Sequence, residues 1–457
     1  MTDSSFDLIV VGGGPGGTEA ALYAARMGKH VALIERDSLG GTCLNCGCIP
    51  TKFLFHQAEV IRELKTASEN GLVFHPESLH VDLVKMTAKK DELINQFRKG
   101  LDSLLVKAGV VLLHGTAHLT AANELEIIDA AGATSSVTSE RILLATGSQP
   151  ARPVFPGSDL PCVIDSTAML NQTEVPRELV VLGGGVIGLE FASIFQEFGT
   201  HVTVLEAMDS LLPAMDRELG RRLSALLKRR GVAIQTGSKL TAVIHDDGQN
   251  RVLFENATGE TSIPADLVLV AVGRLPVVPP SDVTNALTRN GRFLAVNERF
   301  ETSLPGVYAI GDLVGHGMLA HVAEAEARAA VTAMFTSNAV SVPRHAIPAC
   351  VFTCPEIASV GLTSEQAAAQ NIPVTVRKSL FAANGKARSM SASDGFVKIL
   401  LNAQNIIVGV HIIGPHASDL IAEAALLVTH HMTLNQAQAV VHAHPTLSET
   451  LAHALAD

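Results

Sequence analysis

The chain has 457 residues, 47% of them hydrophobic and 17% charged, with a formal net charge of -11. That length is too great for a single core, so two to four domains are expected, and the hydrophobic share suits buried parallel sheet flanked by helices. The acidic balance argues against a nucleic-acid partner, no apolar run reaches the ~20 residues that span a bilayer, and six cysteines without a disulfide framework suit a reducing, cytoplasmic setting.

The opening MTDSSFD has neither the basic region nor the apolar core of a signal peptide. Residues 7–12, DLIVVG, read as a short buried strand ending in glycine. Gly12, Gly14 and Gly17 follow as G-x-G-x-x-G, then a helical stretch closed by Gly28 and a second strand ending at Glu35. The first glycine permits the tight turn, the second lets backbone approach a pyrophosphate, and the third lets helix pack on strand. Glu35 is placed to accept bonds from ribose hydroxyls.

Directly downstream lies GGTCLNCGCIPTK, residues 40–52, with Cys43 and Cys48 separated by four residues. Such a pair can form a small-loop disulfide only if its Cα atoms come within roughly 7 Å. A loop that short gains little by constraining the unfolded chain, whereas a disulfide beside a bound flavin can pass two electrons to an exchanging dithiol. Cys43-x-x-Cys46-x-Cys48 also reads as part of a metal cluster, although zinc would need a fourth ligand, and Cys162, Cys350 and Cys354 are isolated in sequence.

Residues 57–108 show helical periodicity and read as a crossover insertion; 110–145 read as short strands ending in ILLATGS. The dinucleotide unit then recurs over 178–206 as strand, Gly183-x-Gly185-x-x-Gly188, helix, Gly199, strand and Glu206. Two such units imply two dinucleotides. Glu206, with no base before Arg217, favours a free ribose 2′-hydroxyl and hence NAD. The unit closes with LVLVAVGRLP, which carries Gly273. In 301–315 a turn and strand lead to Gly311-Asp312; the acid at a strand end suits a flavin's ribityl and pyrophosphate region or, alternatively, caps the helix that follows. From about 345 the pattern changes to hairpins and then helices, a segment read as a dimerisation surface. Near its end His444, with Glu449 about a helical turn further on, forms a candidate acid–base couple; His431, His442 and His453 read as surface or capping residues. The expected fold is α/β: two Rossmann-like dinucleotide-binding domains plus a C-terminal α+β dimerisation domain, divided at 1–149, 150–275, 276–344 and 345–457.

Taken together and in this order, GGTCLNCGCIPTK (40–52), GGGVIGLE (183–190), AIGD (309–312), MLAH (318–321) and HAHPTLSE (442–449) resemble the pyridine nucleotide-disulfide oxidoreductases, and among them the branch that oxidises dihydrolipoamide. The resemblance covers essentially the whole chain. It implies FAD at the first turn and NAD at the second, and a homodimer serving the lipoyl domains of 2-oxo acid dehydrogenase or glycine-cleavage complexes. Cys43 would be the interchange thiol and Cys48 the thiolate against the flavin. His444 would be the base that Glu449 orients, acting on the disulfide of the partner subunit. Lys52 and Glu190 would meet near the flavin ring, and Gly115 or Ala117, Asp312 and Ala320 would line the FAD site. The resemblance implies no metal. Cys46 departs from the pattern, in which relatives commonly carry Val or Arg; it is expected to point away from the pair and stay reduced. A C-terminal cysteine pair, which a mercuric reductase should carry, is missing from the closing HALAD.

Overall fold

The computed structural model describes residues 5–73, 79–338 and 340–456; residues 1–4 of the opening segment and 74–78 of the helix-rich insertion lie outside them. The chain divides into two compact units, Met1–Pro50 with Ala88–Pro150 and Arg274–Val342, and Thr51–Thr87 with Ala151–Gly273 and Pro343–Asp457.

The first unit is built on a five-stranded parallel sheet in the order Val307–Ala309, Ile142–Leu144, Leu8–Val11, Val31–Glu35, Val111–His114. Its strands are short unbroken apolar runs because both faces are covered. Alternate residues divide between the two sides. Leu8, Val10, Leu33 and Leu143 pack with the helices Pro15–Arg26 and Ala320–Phe335. Ile9, Val11, Ile34, Ile142 and Leu144 pack against Leu119, Leu125, Ile127 and Val137 of a second sheet, Ser5–Phe6, Thr134–Ser139, Glu124–Ile128 and Thr116–Ala121. The expected helical insertion is present as Cys48–Glu69 and Leu83–Lys107. The first of these begins at the second thiol, earlier than periodicity indicated.

The second unit repeats the design. Its parallel sheet runs Val163–Asp165, Leu267–Val270, Glu178–Leu182, His201–Glu206, Ala233–Thr236, with the helix Val186–Glu197 crossing between the third and fourth. Val180, Leu182, Leu205 and Val268 meet Val243, Val252 and Phe254 of a three-stranded antiparallel sheet. The C-terminal part is a five-stranded antiparallel sheet, Ala349–Val351, Glu356–Gly361, Ile407–Gly414, Phe396–Asn402, Val374–Leu380, covered by the helices Ala417–Thr429 and Glu449–Ala456.

A buried ion pair ties this sheet to the nucleotide-type segment. Lys398 Nζ lies 2.9 and 2.8 Å from the two oxygens of Asp216, which is fully buried. Asp216 also caps the helix Arg217–Arg229 by accepting from Glu218 N–H and takes the Ser364 N–H. Burial alone would raise the Asp216 pKa; the bonds from Lys398 and Ser364 outweigh it and hold the carboxyl at about 2. A depressed folded-state pKa means stabilisation that is complete above the unfolded value and lost as pH falls from about 4 towards 2, about 2 kcal/mol in all. Lys398→Met strands the carboxylate and should cost about 3–5 kcal/mol. The urea midpoint followed by circular dichroism, since the chain has no tryptophan, reads this directly. An unchanged midpoint would show that the pair does not hold these elements together.

Candidate functional site

At the first turn, Gly12 has φ +104°, and a Cβ there would stand 2.5 Å from Ala145 O; one at Gly17 would stand 1.8 Å from Gly12 O. The same approach recurs at Gly183 and Gly188, where added Cβ atoms would meet Ala271 O at 2.6 Å and Gly183 O at 2.2 Å. The middle glycines differ. A Cβ on Gly185 would meet nothing within 4 Å, and one on Gly14 only Gly41 Cα at 3.9 Å. Each middle glycine caps a helix without any side-chain bond, leaving the first N–H groups to a ligand. Both turns therefore fit a dinucleotide pyrophosphate.

The cysteine segment is fixed to the first turn. Gly40 N–H donates to Gly13 O at 2.7 Å, and Gly41, at φ +54°, lies so close to Gly14 that a Cβ would stand 2.7 Å from its Cα. The helix Gly41–Cys46 thus starts on the phosphate turn, which puts Cys43 within its first turns and Cys48 at the head of the next helix. The other thiols are poor nucleophiles: burial pushes Cys350 up to about 11, and it raises Cys354 and Cys162 as well. Among the described residues no three His, Cys, Asp or Glu side chains are placed to hold a metal ion. The three clustered thiols stand as redox candidates.

The two acids at the strand ends, expected to meet ribose hydroxyls, are both bonded to backbone N–H groups. Glu35 takes Gly13 N–H at 2.7 Å on one oxygen and Asp37 N–H at 2.8 Å on the other; Glu206 takes Gly184 N–H at 2.6 Å and Met208 N–H at 2.7 Å. Each carboxylate clamps its own glycine turn, and each oxygen keeps a second lone pair for a hydroxyl. Gly115, whose N–H donates to Glu35 O, sits at this nucleotide end of the sheet, whereas the Ala117 methyl is taken up by the core between the two sheets. Gly273, at φ +125°, has open space on its Cβ side.

Asp312 does not cap the following helix. That helix starts at Ala320, with Leu319 at the cap position and no side-chain bond there. Asp312 instead accepts from Ser148 Oγ, and Ser148 is in turn held by Arg274, whose Nε donates to Ser148 Oγ at 2.8 Å and whose Nη2 reaches Ser148 O at 2.6 Å and Thr42 Oγ1 at 3.3 Å. Sequence reading missed Thr42, Ser148 and Arg274. Their only signal was position, beside a cysteine or just past a strand end.

In the second unit, Lys52 Nζ lies 3.0 and 2.9 Å from the oxygens of buried Glu190, and 4.3 Å from the Phe352 ring centroid; Phe352 N–H also donates to Glu190. His444 Nδ1 and Glu449 Oε1 are 2.8 Å apart, and the His444 side chain is 79% exposed. The Thr446 N–H and His444 hold the Glu449 carboxyl below its ordinary pKa. His442, expected to be an unremarkable surface residue, is instead nearly buried, with Nε2 2.8 Å from Glu423 on the helix Ala417–Thr429. The His431 ring stacks on His345.

Residues 6–327 match the family model of pyridine nucleotide-disulphide oxidoreductases, and residues 347–455 match the dimerisation domain of the same proteins. The chain belongs to the pyridine nucleotide-disulphide oxidoreductase family. As a member it is a flavoprotein disulfide oxidoreductase with Cys43 and Cys48 as its redox pair, FAD as the family's typical cofactor, a pyridine nucleotide as co-substrate and a C-terminal domain for homodimer formation. It is 38% identical to the dihydrolipoyl dehydrogenase of Chlamydia pneumoniae over 98% of this chain and 95% of that one, and 36% identical to that of Bacillus subtilis over 98% and 97%. Among solved structures, the HOCl-induced flavoprotein disulfide reductase RclA from Escherichia coli superposes with a TM-score of 0.87 at 28% identity, over 98% of this chain and 99% of that one. No helix among the described residues is long and apolar enough to cross a membrane.

Proposed function

We propose that the chain oxidises the dihydrolipoyl group of a lipoyl domain, with NAD+ as the final acceptor, in the cytoplasm. The observation that carries the substrate is an apolar groove of about 490 Å³ walled by Leu44, Leu93, Phe97, Leu101 and Leu104. Leu44 follows Cys43 in sequence, and the apolar walls of the groove suit a long aliphatic arm better than a charged peptide thiol. The dihydrolipoyl dehydrogenases of 36–39% identity point the same way.

In this reading Glu449 holds His444 through Nδ1, leaving Nε2 to take the proton from a substrate thiol. The substrate thiolate attacks Cys43 Sγ, the Cys43–Cys48 bond breaks, and Cys48 leaves as thiolate. The second substrate thiolate displaces Cys43, releasing the cyclic disulfide and leaving both cysteines reduced. FAD, which the Gly12–Gly17 turn and the Asp312–Ser148–Arg274 chain would hold, would supply the two-electron link between the reduced cysteine pair and NAD+. Lys52, on the helix that Cys48 begins, is held in its ion pair by Glu190 of the helix Val186–Glu197. Turnover of free dihydrolipoamide and of an isolated lipoyl domain, set against glutathione, tests the substrate. Glutathione reduced or oxidised as fast as the lipoyl group would reject it.

The acceptor has its own test. Glu206 would repel a 2′-phosphate, and the hydroxyl bond it would forgo adds to the penalty, each on the order of 1–3 kcal/mol. NADH should therefore exceed NADPH by about 10²-fold or more in kcat/KM for the reverse reaction. Arg217 and Arg221 do line a polar pocket with Asp209 and Thr236, and Thr236 is the register partner of Glu206. Were a 2′-phosphate to bind those bases, the two nucleotides would perform alike and the ribose assignment would fall.

A further inference from the structure

Cys46 is the one thiol of the motif segment that the reaction above does not use. Its position is specific. Cys43 and Cys46 both lie in the six-residue helix Gly41–Cys46, three residues apart. Side chains at that spacing share a helix face, and the Cα spacing across one helical turn falls in the roughly 4.4–6.8 Å range that a disulfide spans; the Cβ atoms, about 5–6 Å apart in a regular helix, would have to close to the roughly 3.5–4.5 Å of a bridge by a local tightening of this short helix. Leu44 turns inward and is buried, while Cys43 and Cys46 stay partly exposed. The turn is pinned from outside. Asn45 donates to Ser38 O at 3.2 Å and Leu39 O at 3.1 Å and accepts from Arg98 Nε at 2.6 Å. Cys48 belongs to a different helix, set off by Gly47, where a Cβ would stand 2.9 Å from Thr42 O. Cys43 therefore has one thiol across the glycine break and another on its own helical turn.

We propose that Cys46 is a second bridging partner for Cys43, so that the oxidised chain interconverts between two disulfide isomers; this rests on Cys43–Cys48 being the redox pair. In the step, the Cys46 thiol gives its proton to solvent and the thiolate attacks Cys43 Sγ. The Cys43–Cys46 bond forms, the Cys43–Cys48 bond breaks, and its electron pair departs on Cys48 as thiolate. One disulfide and one thiol stand on each side, so no external oxidant or reductant is needed. The second isomer is parked: its disulfide no longer includes Cys48, and substrate electrons entering at Cys43 have no covalent exit there towards the flavin.

The test uses the oxidised holoenzyme, equilibrated at mildly alkaline pH without reductant and denatured in excess N-ethylmaleimide. It is then reduced and labelled with an isotopically distinct maleimide. Cleavage after Arg36 and Lys52 frees one peptide with all three cysteines, and fragment masses show which carries the first label. The inference expects the first label on Cys46 in most molecules and on Cys48 in about 1–10% of them, the population of a minor state a few kcal/mol above the major one. It also expects a weak long-wavelength thiolate-to-flavin band in the unreduced protein that is missing from Cys46→Ser. First label confined to Cys46 overturns the second isomer and leaves the Cys43–Cys48 pair intact. First label on Cys43 overturns it too, because the bridge would then join Cys46 to Cys48. Label on Cys48 without the band upholds the isomer and removes Cys48 from the flavin.

Discussion

Cys43→Ser should abolish turnover, by at least about 10⁴-fold, while the protein still binds FAD in full. A serine hydroxyl cannot form the mixed disulfide through which electrons leave the substrate, and removing the sulfur that carries the covalent intermediate costs on the scale of the whole chemical step. Cofactor retention is expected because the groups proposed to hold the flavin lie elsewhere: the open backbone at Gly14, the Glu35 clamp on Gly13, and the Asp312–Ser148–Arg274 chain. None of these passes through the Cys43 side chain. Cys46→Ser should keep most activity, since the productive bridge does not include it. Steady-state assays with dihydrolipoamide, alongside visible absorbance for bound FAD, separate the two variants. If Cys46→Ser were as inactive as Cys43→Ser, the assignment of the redox pair would be wrong. If Cys43→Ser lost its flavin, the segment would be a cofactor-binding element first and its redox role would need separate proof.

What could be read in advance, and what could not, follows from how far apart in sequence the partners lie. The two glycine turns were legible because each sets three glycines within six residues, and the structure places backbone oxygens where the Cβ atoms of the first and third would be while leaving the middle one open. The His444–Glu449 couple was legible for the same reason, lying five residues apart. The Arg274 contact with Thr42 spans 232 residues and the Lys398 contact with Asp216 spans 182. No local pattern announces these, because only strand order and register bring the groups together. His442 shows the limit at shorter range. Its carboxylate partner is 19 residues upstream on another helix, and a histidine two residues from the expected base gave no hint of it. Glu35 and Glu206 were found for one role and turn out to have a second, since the backbone N–H groups they accept from belong to the turn itself. The Lys52–Glu190 pair was placed by resemblance alone; the residues by themselves carried no signal for a contact 138 positions apart.

Mixing two inactive variants should restore activity, if each active site is shared between two chains. Cys43 lies in the first unit and His444 in the second, within the dimerisation domain. Along the chain before His444 the surface is poorly covered for a lone chain: the His444 side chain is 79% exposed, Val441 is 94% exposed, and Val440 is exposed as well. Apolar residues left open beside a catalytic candidate are what a two-fold partner would cover. We propose that His444 serves the Cys43–Cys48 pair of the partner subunit. His444→Ala removes the base and should cost about 10²–10⁴-fold in kcat, and Cys43→Ser removes the sulfur that the substrate thiolate attacks. In a heterodimer of the two, shared sites sort unequally: one site loses both groups and the other keeps both. Co-refolding the variants should then return up to a quarter of wild-type activity, because about half the dimers are hybrids and each hybrid carries one intact site of two. If each chain instead builds its own site, every site in the hybrid lacks one group and nothing returns. Heterodimers verified by differential tags and still inactive would place His444 with the thiols of its own chain.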